Sequence, residues 1–154
     1  MNHIELVCTG ELKFPGLREL EKKYLQNINY YVKFTIKKMR DVRHREASYV
    51  RGKEGALFLR EIQPRDFVVV LDARGRKMDS PRFAEFLGKK MSAVPGRLVF
   101  LIGGFAGVDP AVATRADMAL SFSDLTVAHD IFRIVFLEQV YRAMTILHGG
   151  SYHR

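Results

Sequence analysis

Apolar residues recur along this chain in two rhythms that take turns. Short runs, either unbroken or alternating, predict strands over residues 4–9, 30–37, 67–72, 98–102 and 118–122. In the second of these, Tyr30, Val32, Phe34 and Ile36 alternate with Tyr31, Lys33, Thr35 and Lys37, which predicts one basic face. Between the strands the spacing lengthens to that of helices. Pro15 opens one that carries Leu17, Leu20, Tyr24 and Ile28, and a second spans about residues 46–61, with Gly52 and Gly55 lowering its propensity. Ser80 and Pro81 read as the N-cap and first residue of a helix bearing Phe83, Phe86, Leu87 and Met91. Asp109 and Pro110 repeat that device for a short helix to about residue 117, and the last helix runs over residues 131–147 until Gly149 and Gly150 stop it.

Five alternations of strand and helix, joined by connections too long for hairpins, predict an α/β fold. The expected core is a mainly parallel five- or six-stranded sheet with helices on both faces. A chain of 154 residues without repeat or linker fits one domain. In such a sheet, ligands sit where neighbouring strands end. Three segments qualify: 72–77 after FVVVLD, 103–107 after RLVFLIG, and 123–129 after MALSF. The run GGFAG places Gly103, Gly104 and Gly107 directly after a strand with no polar alternation, a place where missing side chains let something approach the backbone. No Lys-Ser or Lys-Thr follows, and the spacing differs from G-x-G-x-x-G, so neither standard phosphate loop is present. Together the three segments form an expected pocket of backbone amides and small side chains, suited to a flat heteroaromatic ring more than to a triphosphate. The plain alternative is three unoccupied turns.

Charge adds a second feature. Lys and Arg number 25 against 17 Asp and Glu, a net charge of +8 that favours a polyanionic partner. Residues 37–53 carry Lys37, Lys38, Arg40, Arg43, Arg45, Arg51 and Lys53 against only Asp41 and Glu46, so five of the eight net charges lie there. This segment is the candidate contact for such a polyanion, with Tyr49 and His44 as stacking surface; a solvated basic helix and loop is the alternative. No apolar run approaches a membrane span, and MNHIELVCTG lacks the form of a signal peptide, so a cytoplasmic protein is expected. The single cysteine, Cys8, excludes an intrachain disulfide and offers no cysteine-based metal site; no metal is expected.

Four stretches carry a resemblance: LDARGRKMDSPRFAEFL (71–87), FLIGGFAG (100–107), SFSDLTVAHDIFRIVFLEQVYRA (121–143) and the terminal YHR (152–154). Together they resemble the small SPOUT-class methyltransferases, and most closely the bacterial group that methylates N3 of a pseudouridine in 23S ribosomal RNA. The resemblance spans the chain and is strongest from Leu71 onward. It implies a C-terminal trefoil knot, S-adenosylmethionine as cofactor, a homodimer, and 23S rRNA or the ribosome as partner. By motif, it places cofactor contacts on Leu71, Gly103 and the run Phe122, Ser123, Asp124, Leu125, Thr126 and Val127, with Gly104 and Gly107 completing the glycine loop. Two positions depart from the family's usual pattern: Phe105-Ala106 stands in place of Pro-Glu, and Ala128 in place of Pro.

The resemblance also narrows the chemistry. The imide proton of N3 must leave during attack, and a histidine is the usual base near neutral pH. His129 and His153 fall at matched positions, beside Tyr152 as a stacking or hydrogen-bonding group and Arg154 as a phosphate contact. His129 could instead serve only as a helix N-terminal residue beside Asp130, and His153 could belong to a frayed end. Arg133 and Arg142 are candidates for RNA or partner-subunit contacts, with solvated positions as the alternative, and Glu138 reads as structural. A flavodoxin-like module binding a flavin or nucleotide, and a non-catalytic ribosome-associated RNA-binding factor, are the competing classes.

Overall fold

A computed structural model describes residues 2–154. The elements run β1 (His3–Thr9), α1 (Pro15–Asn29), β2 (Lys33–Met39), α2 (Ala47–Glu61), β3 (Phe67–Lys77), α3 (Ser80–Ala93), β4 (Leu98–Ile102), α4 (Pro110–Arg115), β5 (Met118–Ser121) and α5 (His129–Leu147). They build one five-stranded sheet in the order β2-β1-β4-β3-β5, with every pairing parallel. The central strands are buried on both faces, as their unbroken apolar runs require. Leu98, Phe100 and Ile102 of β4 face the layer of α1, α3 and α5, while Val99 and Leu101 face α2 and α4. Cys8 is buried and free, a small apolar core residue whose thiol burial pushes up to about 11.

Three local expectations give way to stronger local forces. The strand expected over 30–37 starts only at Lys33, because the backbone N–H groups of Tyr31 and Val32 both bond to the Ile28 carbonyl and close the end of α1. Asp79, not Ser80, caps α3: its carboxylate accepts from the Arg82 N–H, leaving Ser80 Oγ free to donate to Gln139 of α5. The segment expected as a turn after Leu71 is instead a continuation of β3. Leu71 and Arg76 both align with Leu120, so residues 72–75 bulge out of the ladder before pairing resumes at Arg76 and continues with Lys77 opposite Ser121. Asp109 caps α4 as the sequence indicates, and α5 begins at His129, two residues ahead of expectation.

The amino-terminal edge of the sheet is locked by charge. Arg97, at the start of β4, donates to both carboxylate oxygens of Asp66, to Glu5 of β1 and to the Glu61 carbonyl. Asp66 also accepts from the backbone N–H groups of Gln63 and Arg97. Burial works against its charge, yet the guanidinium and the two amides hold the carboxyl below its ordinary range. Asp117 closes the β5 end of that edge by accepting from the Val68 N–H at 2.8 Å.

Candidate functional site

The carboxyl ends of β4, β3 and β5, neighbours in the sheet, surround a half-open cavity of about 520 Å³. Its size falls within the range of small-molecule sites. The three loops singled out in the sequence do converge. Ile102, Gly103 and Gly104 come from β4 and the loop after it, Leu71, Asp72 and Ala73 from the bulge of β3, and Leu120 and Phe122 from β5 and its exit. Ser123, Leu125, Thr126 and Val127 form the far wall, and Phe132 and Val135 of α5 close it. Gly107 and Asp124 lie outside the lining. Asp124 reaches away to the Lys77 ammonium, tying the loop to the end of β3.

Local hydrogen bonds explain why this far wall is built from serine. Ser121 Oγ donates to the Ser123 carbonyl, and Ser123 Oγ accepts from the Leu125 N–H at 3.0 Å. The hydroxyls thereby fold the loop back on itself. The other walls are apolar, and no lysine or arginine lines the cavity. Among the described residues its ionisable groups are Asp72 and His129. The Arg74 guanidinium grips Asp72 and holds its carboxyl below the ordinary range.

The glycines have separate explanations. Gly107 adopts φ +85°, a left-handed conformation that side chains disfavour, and a Cβ there would meet nothing. A Cβ at Gly104 would stand 2.8 Å from a carboxylate oxygen of Glu54. Of the three glycines, Gly103 and Gly104 face the cavity, and what crowds Gly104 most closely is protein.

Glu54 is the residue that sequence reading missed. It lies on α2 between Val50 and Phe58, on the buried stripe of that helix, and is 4% exposed. Burial raises its carboxyl above the ordinary value, an effect the Gly104 N–H partly offsets and the charge of Asp41 reinforces. Its Oε1 has no hydrogen-bond partner among the described residues. A carboxylate in register with Val50 and Phe58 was the available signal.

The two candidate histidines differ in placement. His129 lines the cavity, and its Nε2 lies 3.1 Å from Asp130 Oδ1. The contact sets the carboxylate beside the ring at the first turn of α5. The helix-terminal reading of His129 and the cavity reading therefore hold together. None of Tyr152, His153 and Arg154 lines the cavity of its own chain. Tyr152 donates to Glu138 at 3.0 Å and lies beneath the Arg142 guanidinium, which also grips Glu138 and contacts His153 Nδ1 at 3.2 Å. Burial and the neighbouring carboxylate push the Tyr152 phenol up to about 12. Arg133, read as a possible surface contact, is buried at 1% exposure and donates to the carbonyls of Thr9 and Gly10.

The basic segment divides. Lys38 sits between Glu21 and Glu11 at 2.8 and 2.9 Å, and Lys37 lies 3.9 Å from Glu61. Arg40, Arg43 and Lys53 line a second cleft, while Arg45 and Arg51 do not.

Comparison with known proteins agrees with this geometry. The family model described as "Predicted SPOUT methyltransferase" matches residues 2–153. "Ribosomal RNA large subunit methyltransferase H" of Parabacteroides distasonis is 37% identical over 153 residues, covering 97% of this chain and 98% of that protein. The protein of the same name from Carboxydothermus hydrogenoformans is 35% identical over 157 residues, covering 98% and 99%. Among solved structures, a probable methyltransferase from Bordetella pertussis superposes with a TM-score of 0.59 at 11% identity, covering 93% of this chain and 95% of that one. The tRNA (m1G37) methyltransferase of Aquifex aeolicus gives 0.54 at 16% identity, covering 92% and 70%. These two share the fold. With one family matched across nearly every residue and relatives matched end to end, the chain belongs to the SPOUT methyltransferases.

Proposed function

We propose that this protein uses S-adenosylmethionine to methylate N3 of a pseudouridine in 23S ribosomal RNA, in the cytoplasm and as a homodimer. The observation that carries this reading is the glycine-edged, largely apolar cavity at the ends of β4, β3 and β5, in a chain whose full-length relatives are named as large-subunit rRNA methyltransferases. The residues fit the cofactor: apolar walls from Leu71, Ile102, Leu120 and Phe122 suit an adenine ring, backbone of residues 103–104 and 123–127 offers hydrogen bonds, and Asp72 is the one carboxylate for a cationic group. The cofactor supplies a methyl group on a sulfonium, which departs as a neutral thioether.

The chain's own contribution is positioning and proton removal. Rigid strand ends hold donor and acceptor in line. His129, which lines the cavity, accepts the imide proton as N3 forms its new bond to carbon, with the Asp130 carboxylate beside the ring to favour the imidazolium that results. His153 is the weaker base in this arrangement, since Arg142 donates to its Nδ1 and the ring proton then lies on Nε2. The dimer is supported by the apolar rim of the cavity. Phe105 is 78% and Leu125 76% exposed, and Ile131 and Val135 continue that surface along α5. Tyr152 and His153 are held on Glu138 and Arg142 of their own α5, outside their own cavity, and the tail they form with Arg154 serves the reaction across the dimer, at the partner's site. The C-terminal trefoil knot belongs to the same reading. The relatives named above are methyltransferases, which gives the flavin-binding and non-catalytic alternatives no support.

The test is incubation with labelled S-adenosylmethionine and ribosomes from a strain lacking the activity, followed by mapping of the label. Label at N3 of one pseudouridine is expected; absence of label in RNA would reject the proposal.

A further inference from the structure

The second cleft, about 370 Å³, opens between the Arg40–Arg43 connection and one face of α2. Tyr49, Lys53, Ala56 and Arg60 succeed one another along that face at helical spacing. Four cations therefore converge: Arg40, Arg43, Lys53 and Arg60. Among the described residues none of them has an ion-pair partner. Asp41 is the one acid in the lining, and its carboxylate is turned toward Gly10. Four cations against one carboxylate that faces away repel one another, and an anion seated among them relieves that repulsion.

An aromatic platform completes the cleft. The Glu46 N–H donates to His44 Nδ1, which fixes the imidazole against Tyr49 with centroids 4.1 Å apart and planes 30° from parallel. Tyr49 remains 44% exposed, and the Lys53 ammonium stands 5.5 Å from its ring centroid. Cations interleaved with an open ring suit a nucleotide better than an acidic peptide, since the ring can stack on a base while the guanidinium groups take phosphate. The cleft also has a meaningful address. It begins where β2 ends, and in an all-parallel sheet that is the same edge on which the first cavity opens. Neighbouring residues of α2 serve the two sites: Lys53 lines the cleft, and Glu54 packs against Gly104.

We infer that this cleft seats a phosphodiester of single-stranded RNA, with the adjoining base stacked on Tyr49, and so holds the strand that flanks the nucleotide presented to the donor cavity. The inference rests on the RNA reading above and sharpens it. It selects Arg40, Arg43 and Lys53 from the basic segment, adds Arg60, and leaves out the paired Lys37 and Lys38.

The experiment is fluorescence anisotropy of the full-length protein with a labelled single-stranded RNA dodecamer over a range of salt concentrations, for wild type, Arg60→Glu, Tyr49→Ala and Lys37→Ala, each checked for an unchanged melting temperature. Arg60→Glu is expected to weaken binding by about tenfold or more and to make the logarithmic salt slope shallower by about one or more. Tyr49→Ala is expected to weaken binding roughly tenfold with the slope unchanged, as lost stacking would. Lys37→Ala should stay within about twofold of wild type. Should wild type bind with a steep salt slope while Arg60→Glu and Tyr49→Ala match it, the cleft assignment falls and the RNA reading stands. Failure of wild type to bind RNA would overturn both. Displacement of the RNA by polyglutamate as readily as by unlabelled RNA would replace the nucleotide with an acidic peptide.

Discussion

The two edges of the sheet treat their polar groups in opposite ways. At the amino edge, Arg97, Asp66, Glu5, Asp117 and the surrounding backbone satisfy one another. At the carboxyl edge they do not. The buried side-chain atoms without a hydrogen-bond partner among the described residues belong to Glu54, Glu21 and Arg133, and all three residues lie at this edge: Glu54 against Gly104, Arg133 on the carbonyls of Thr9 and Gly10, and Glu21 beside Lys38 and ion-paired to Arg133 at 3.6 Å. The unpaired cations of the cleft and the open backbone of the cavity lie on the same edge. One edge is finished by folding alone, and the other is left open to ligands.

Substitutions on each edge sharpen this contrast. The largest effect is expected from His129→Asn on the open edge. Methyl transfer should slow by about 10²–10⁴-fold, the usual range for a lost general base, with donor affinity by calorimetry changed less than about threefold. On the closed edge, Asp66→Ala should cost about 3–5 kcal/mol in urea unfolding, because it leaves the Arg97 guanidinium and two amides facing a void. Asp66 also sets a pH dependence. Its folded-state carboxyl titrates below the ordinary value of 3.8, so its stabilisation is present above that pH and is lost as pH falls further through the depressed value.

Glu54 gives an intermediate effect with two signs. Its carboxyl titrates above the ordinary 4.5, so the wild-type fold loses stability as pH rises from 4.5 through the raised value. Glu54→Gln should therefore raise the unfolding free energy at neutral pH, a gain that vanishes below pH 4.5. Glu54→Leu replaces the carboxylate packed against Gly104 with a branched apolar side chain and should weaken donor binding by displacing the glycine loop, read by calorimetry. The smallest effect belongs to the tail. Tyr152→Phe deletes one hydrogen bond to Glu138 and should lower stability by about 1 kcal/mol or less, read from the same urea curves.

Much of the fold was written in local pattern. Unbroken runs such as LVFLI announce strands buried on both faces, and Asp109-Pro110 announces a helix start wherever it occurs. The cavity was legible because three loops follow three such strands, and parallel neighbours bring their ends together. What escaped depends on tertiary pairing. The segment RGRK resembles a polar turn, and only the presence of β5 alongside makes it strand. Glu54 resembles a solvated acid in a basic helix until α2 is packed against the glycine loop. Lys38 counts as one more cation in the sequence, yet Glu21 reaches it from α1. Arg60 lies beyond the charge run but one helical face links it to Lys53, a spacing of seven that the sequence did contain.

The contrast between edges is tested most directly by hydrogen exchange on the full-length protein with and without S-adenosylmethionine. Added donor should slow exchange at residues 103–107 and 123–127 and leave the amides of Gln63, Phe67 and Arg97 unchanged. Equal slowing at both edges, or slowing confined to the amino edge, would contradict the account.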